Sequence, residues 1–404
     1  MLPGTNAEYV KTYNQRIVLE AIRRLGPVSR AEVARFTSLT TQTVSNIVQA
    51  LALDGLVVLG RRRPGGRGQP PVELSLDPDG AYAVGLSLDR DHVAAVLVDL
   101  AGGVRIQVEQ ELDHPKPDTV LPQLTELVER CVATVADRPD RVRGIGVALP
   151  GQIQLGDDEV SIPTNFPGWE GVPLQAELAR RTGRRVFVEN DATAAAIGES
   201  WHDGQDATHD MLYVYFGLGL GGGLILDGRP YRGHGLNAGK LGHLTVEPRG
   251  RRCTCGNRGC LELYASLEAL SREVAGPSEV VHPDRLERAF LAGDARVASW
   301  LDRAAEHWTT ALVSMENLFD PESVVLGGRL PDRLGDALMQ RIAQRLPERR
   351  MKGKPTQPSL TRSELGPHAA ALGAATLPLY ETLAPSHALL LKRPRSPGRK
   401  GLAM

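Results

Sequence analysis

Four side chains between His243 and Cys260 have the types and spacing to hold a metal ion. Cys253, Cys255 and Cys260 follow His243 at ten, twelve and seventeen residues, and thiolate with imidazole is the donor set a tetrahedral Zn²⁺ prefers. Three Cys and one His leave no open position, so the expected ion is structural. Within Cys253 to Cys260, CTCGNRGC, Gly256 and Gly259 allow the tight turns that let three sulfurs converge. The rival reading is three buried or disulfide-linked cysteines beside an unrelated histidine. A Cys-x-Cys pair can hardly close on itself, however. Met1 to Val10 carries Pro3, Gly4, Asn6 and Glu8 in place of an apolar run, so no signal peptide is expected and a reducing cytoplasm is the expected setting. The fourth cysteine, Cys131, falls in the apolar helical pattern Leu121 to Val135 and reads as core.

The elements that must position this loop read as α/β. Strand-like runs at Ala83 to Leu88 and Val93 to Asp99 precede a helical pattern at Val120 to Ala136 and an apolar strand at Val142 to Leu149. Val186 to Val188 then delivers Glu189, Asn190 and Asp191, as a strand emptying polar side chains into a cleft would; the plainer alternative is a helix N-cap without a ligand. Leu212 to Phe216 runs into Gly217, Gly219, Gly221, Gly222 and Gly223, a loop that suits either phosphate or a tight hairpin. No stretch approaches the ~20 apolar residues needed to span a membrane.

A net charge of −1 hides an asymmetry. Residues 1–75 hold ten Lys and Arg against five acids, a net +5, which leaves −6 for the remainder. A basic head on an acidic body suggests that the head meets a polyanion. Asn14 to Leu25 has helical spacing, Ser29 to Glu32 is a capping box for a second helix, and Thr40 caps a third whose inward face is Val44, Ile47, Val48 and Leu51. That is a helix-turn-helix. Arg30 and the start of the third helix, with Thr41, Gln42, Thr43, Ser45 and Asn46, are the candidate DNA contacts. Leu56 to Leu59 and Val72 to Leu76 flank a loop that reads as a wing, with Arg61, Arg62, Arg63 and Arg67 for phosphates or the minor groove. A solvated basic loop used for protein contacts is the alternative.

Eight motifs in one order then resemble the ROK family (repressor, open reading frame, kinase). They are GIGVALPG (144–151), NFPGW (165–169), ENDA (189–192), the glycine loop, GKLGH (239–243), CTCGNRGCLE (253–262), PESVVLGG (321–328) and LGAA (372–375). The resemblance implies a winged helix-turn-helix over residues 14–76 and, over 80–385, a two-lobed α/β body of the actin-like (ribonuclease H-like) sugar-kinase fold. A basic tail, 386–404, is expected to be disordered. By the same resemblance Asn165, Asn190, Asp191, His243 and Glu262 hydrogen-bond sugar hydroxyls, and Asp191 is similar to the kinases' catalytic base.

Two departures bear on function. Kinase members carry Asp-x-Gly-Gly-Thr where this chain has Ser87, Leu88, Asp89, Arg90 and Asp91, and Leu218 stands in place of a Thr. A nucleotide would lose its metal-facing carboxylate and meet added acids, so no enzyme activity is expected. Lys240 replaces the family's usual Glu, which suits a sugar phosphate or sugar acid, or else marks a degraded pocket. The expected protein is a zinc-containing homodimeric or homotetrameric repressor of carbohydrate genes. It would bind an inverted repeat in double-stranded DNA and respond to a sugar, a sugar phosphate or a sugar acid. A ligand-independent or partner-controlled regulator and an active sugar kinase are the alternatives.

Overall fold

The computed structural model describes residues 7–62, 72–112, 116–151, 154–155, 160–161, 168–169, 171–202, 209–276, 279 and 281–385. They group into two compact units. One contains residues up to Ala81, the turn Asp99–Gly103 and the end of the chain from Leu379; the other contains Tyr82–Val98 and Val104–Pro378.

The first unit has three helices, α1 (Ala7–Leu25), α2 (Arg30–Thr37) and α3 (Thr41–Leu53), and three strands, β1 (Val28–Ser29), β2 (Val57–Arg62) and β3 (Val72–Leu76), in the order β1-β3-β2. Helix α1 starts seven residues before the expected Asn14 and buries Val18, Leu19, Ala21 and Ile22. Both halves of the Ser29–Glu32 capping box are present. Thr40 caps α3 through Thr43 N–H, and Val44, Ile47, Val48 and Leu51 are its buried face. Strand β2 runs past Leu59 to Arg62, which pairs with Val72, so the wing is a longer ribbon than its apolar residues alone suggested. Arg63, Arg67 and the basic tail lie outside the described residues. At the far end of the unit, Arg16 donates to the Glu381 and Ala384 carbonyls at 3.2 and 3.1 Å.

The second unit is built on two five-stranded sheets. Strands β4 (Tyr82–Leu88), β5 (His92–Asp99), β6 (Val104–Glu111), β7 (Val142–Leu149) and β10 (Val186–Asn190) form the first, ordered β10-β7-β4-β5-β6; the small pair β8 (Gln154–Leu155) and β9 (Val160–Ser161) stands apart. Strands β11 (Met211–Phe216), β12 (Leu220–Leu226), β13 (Arg229–Pro230), β14 (Ser323–Gly328) and β15 (Ser359–Arg362) form the second, ordered β13-β12-β11-β14-β15. Each sheet mixes parallel and antiparallel pairs, and its apolar strands are buried on both faces, as helix-covered sheets require. Helices α4 (Pro117–Ala133) and α5 (Leu174–Thr182) cover the first sheet. Helices α7 (Glu262–Ala265), α8 (Leu267–Ala275), α9 (Pro283–Leu291), α10 (Ala295–Phe319) and α11 (Asp332–Arg349) belong to the second, with Trp300 and Trp308 fully buried.

Helices α6 (Asp191–His202) and α12 (Ala369–Leu383) share an alanine-rich cluster with both sheets. Small residues are required there, because a Cβ on Gly373 would stand 1.8 Å from the Ala194 carbonyl oxygen, and one on Gly146 1.8 Å from that of Ala374. This explains the LGAA motif as close packing. Among the described residues no helix is long and apolar enough to cross a membrane.

Candidate functional site

Every described candidate for ligand contact lines one cleft. Asn190, Asp191, Lys240, His243 and Glu262 surround a cavity of about 320 Å³ with Asp89, Arg90 and the Gly217–Gly221 loop. Asn165 lies outside the described residues. Strand β10 ends at Asn190 and α6 begins at Asp191, so the strand-to-helix junction points both side chains at the cleft. Much of their hydrogen bonding is also structural. Asn190 Oδ1 accepts from Thr193 N–H at 3.3 Å, as an N-cap does, while its Nδ2 donates to Gly151 O and Asp191 Oδ1. The cap reading and the cleft reading therefore hold for the same residue.

Asp191 is half-buried, and desolvation, followed by the charge of nearby Asp89, raises its carboxyl to about 7. Lys240 faces it. Burial lowers the ammonium's pKa, the charges of Asp191 and Glu189 oppose that, and Nζ donates to Gly151 O at 2.5 Å. Glu189 is in turn held by Arg232 at 2.6 Å, a partnership the sequence did not signal. Glu262 Oε2 accepts from Leu220 N–H at 3.1 Å, which ties the start of α7 to the glycine loop. That loop is the turn of an antiparallel β11–β12 hairpin and also a wall of the cleft, so both readings of its glycines hold.

Behind the cleft, His243, Cys253, Cys255 and Cys260 place one donor atom each within 4.8 Å of all the others. Cys255 Sγ and Cys260 Sγ are 3.7 Å apart, as are His243 Nδ1 and Cys253 Sγ. A disulfide needs ~2.05 Å, whereas a tetrahedron with ~2.3 Å zinc–sulfur arms has edges of ~3.8 Å. The set fits a four-coordinate ion. Burial and the neighbouring sulfurs push the Cys260 thiol up to about 12, and a cation at the centre would bring it down. Gly259, at φ +68°, has no room for a Cβ, which would meet the Glu247 carbonyl oxygen at 1.7 Å. Bridges Thr245–Cys260 and Arg252–Arg258 close the knuckle around it.

The side of the cleft where kinase relatives carry glycines is filled with paired charge. Asp91 Oδ2 accepts from Arg329 Nη1 at 2.6 Å, and Asp91 Oδ1 lies 2.7 Å from His92 Nδ1. Arg90 stands between Asp89 at 4.0 Å and Glu268 at 3.8 Å, and Arg272 pairs with Glu268 at 2.5 Å. Arg329 was not foreseen. Its signal was available as a cation placed directly after the Gly327–Gly328 strand end.

On the head, Thr41, Gln42 and Asn46 are exposed, with Gln42 Nε2 donating to Asn46 Oδ1 at 3.0 Å. Ser45 and Arg30 are half-buried, Thr43 shares its hydroxyl with Thr40 at 2.8 Å, and Arg61 and Arg62 are exposed at the end of β2.

Residues 83–380 match the ROK family and residues 12–68 the MarR family. The chain is 28% identical to the xylose repressor of Bacillus spizizenii, over 91% of this chain and 95% of that protein. It is 32% identical to the glucokinase of Thermotoga maritima, over 62% of this chain and 84% of that enzyme. A solved ROK family transcriptional regulator, a homologue of the Escherichia coli Mlc protein, superposes with a TM-score of 0.73 at 26% identity, over 93% of this chain and 98% of that one. The regulators match along nearly the whole chain, head included. The chain belongs to the ROK family.

Proposed function

We propose that this protein is a DNA-binding transcriptional regulator, a repressor of carbohydrate uptake or catabolism genes, controlled by a sugar or sugar derivative bound without phosphoryl transfer. One observation carries the reading: a single chain joins a winged helix with an exposed polar α3 face to a cleft lined by Asn190, Asp191, Lys240, His243 and Glu262. Asn165 completes the ligand set by family position. Thr41, Gln42, Thr43, Ser45, Asn46 and Arg30 are assigned to bases and nearby phosphates, and Arg61, Arg62, Arg63 and Arg67 to the wing's grip on the duplex. A homodimer or homotetramer would present heads in pairs, so the operator is an inverted repeat.

Zinc is the ion assigned to His243, Cys253, Cys255 and Cys260. Bound, it would brace the loop that carries His243 into the cleft. Because Nδ1 is the ring nitrogen facing the sulfurs, the imidazole proton stays on Nε2, which makes the other edge a donor for a sugar oxygen. Asp191 has the family's place for a base, but a base without a phosphate site transfers nothing. Ser87, Asp89, Arg90 and Asp91 occupy that site with carboxylates and paired cations. Effector binding alters DNA affinity only as far as the two protein arrangements bind it differently.

The second reading, a ligand-independent or partner-controlled regulator, draws on Lys240, whose ammonium is already engaged by Gly151 O. A calorimetric titration of the zinc-loaded protein with neutral sugars, sugar acids and sugar phosphates, paired with operator binding, separates the two. Saturable binding of one class that shifts DNA affinity supports the sensor. A DNA complex indifferent to every sugar but altered by a protein partner supports the second reading. Sugar-dependent ATP turnover lost in Asp191→Asn would overturn both.

A further inference from the structure

The ion pair between Asp91 and Arg329 joins residues 238 positions apart and links the two sheets of the body. Asp91 sits in the turn between β4 and β5, and Arg329 directly follows β14. Arg329's side chain is 5% exposed, and its backbone N–H donates to Phe216 O at 2.6 Å, so the guanidinium is aimed from a fixed strand end. Further groups close around it. His92 Nδ1 lies 2.7 Å from Asp91 Oδ1 and 3.1 Å from Arg329 Nη1, and Arg329 fills the other carboxylate oxygen. Nη2 reaches His282 Nε2 at 3.4 Å and lies 3.9 Å from Glu109, which is 3.6 Å from His368. From the same turn Arg90 extends toward Glu268 in the first turn of α8. Two links thus leave two consecutive residues of one sheet's turn, Arg90 and Asp91, and end on the other sheet's elements.

We propose that Asp91 and Arg329 are positioning residues of the cleft: their ion pair fastens one sheet to the other, holding the cleft's walls in register with no nucleotide bridging them. The first wall carries Asn190 and Asp191, and the second carries Lys240, His243 and Glu262. The arrangement also sets ligand class. A triphosphate entering here meets Asp89, Asp91 and Glu268, while Arg90, Arg272 and Arg329 already have carboxylate partners. The cleft therefore takes a single effector and no nucleotide co-ligand. The fastening itself does not rest on the regulator reading; only the word effector does.

Hydrogen exchange of the full-length protein, followed in peptides spanning residues 86–93 and 324–331, tests it without any sugar. Asp91→Asn and Arg329→Gln each raise exchange on the order of tenfold in both peptides, including the one they do not touch, and the double variant adds little to either. Arg329→Lys, which keeps the charge, restores protection at least in part. Exchange that rises only in the mutated peptide, or singles that add fully in the double variant, would overturn the fastening. Mg-ATP and inorganic tripolyphosphate are the second arm. Neither is expected to bind or to change exchange in the unaltered protein, and saturable binding of either overturns the single-ligand assignment. Failure to find an operator or a sugar would leave both readouts standing, so the two claims fail separately.

Discussion

Among the described residues, two clusters of metal-capable side chains occur in the body, and they resolve the same electrostatic problem in opposite ways. His243, Cys253, Cys255 and Cys260 converge with no protein cation among them; Asp89, Asp91 and His92 converge around Arg329. In the first, burial and the neighbouring sulfurs push the Cys260 thiol up, while a backbone hydrogen bond draws the exposed Cys255 thiol down. Its donor set fits a cation supplied from outside. In the second, burial would raise the Asp91 carboxyl, but hydrogen bonding from His92 and the charge of Arg329 hold it well below the ordinary range. That demand is met from within, so a divalent ion there would have to displace a buried guanidinium. Proximity of ligand atoms alone does not distinguish a metal centre from a salt bridge; the nearest cation does.

The sharpest way to break this contrast is to remove one sulfur. Cys255→Ser should lose the ion and collapse the 243–260 knuckle. Structural zinc contributes on the order of 10 kcal/mol in small sites, so the unfolding midpoint of the body should fall by the largest margin of any change considered. Metal content and thermal unfolding measured together check it. A variant that keeps stoichiometric zinc and full stability means the ligand set is wrong. Added zinc should leave no mark on the Asp89–Asp91–His92 group in either protein.

Asp191 is an intermediate case, a half-buried acid whose cation, Lys240, answers it only partly. Its folded pKa of about 7 lies above the ordinary carboxylate value near 4. Between those values the native state holds a proton that the unfolded chain has lost, so stability falls as pH rises from about 4 to 7 and stays reduced above. Asp191→Asn keeps the acceptor for Ala192 N–H and removes the charge. The variant should be more stable than the parent at pH 8, by on the order of 4 kcal/mol at most, with the gap closing toward pH 4. Thermal melts at the two pH values decide it; a gap independent of pH would mean that Asp191 is not strained by its site.

How much of this was legible in the sequence depended on whether one segment contained the whole device. The 243–260 loop spans eighteen residues, and both the convergence of its four donor side chains and the need for Gly259 were readable there. The head was nearly as plain, since Ser29, Glu32 and Thr40 announce helix starts by local hydrogen bonds, and the face of α3 follows from its period. Arg329 was visible as a cation after Gly327–Gly328, but its partners were not. Its partners come from two distant segments, Asp91 with His92 on one and His282 on the other, and only the tertiary fold brings it to the β4–β5 turn. The degenerate glycines at Asp89 and Arg90 said that phosphate was disfavoured; they could not say what had taken its place. Asn190 carried two roles at once, cap and cleft wall, which a choice between them concealed.

The smallest expected effect concerns Lys240, and it sharpens the comparison from the ligand's side. The ammonium is balanced at rest by Gly151 O and by the charge of Asp191. An anionic group entering the cleft competes with Asp191 for it, and because Asp191's carboxyl is near 7 it can take up a proton as the anion arrives. Binding of a sugar acid or sugar phosphate should then strengthen as pH falls from 8 toward 6, while a neutral sugar should bind with little pH dependence. Lys240→Gln removes one charge-assisted hydrogen bond, so it should weaken the anion on the order of tenfold and spare the neutral sugar. Equal losses for both classes would instead place Lys240 as a prop for the Gly151 turn, a charge satisfied within the protein as fully as that of Arg329.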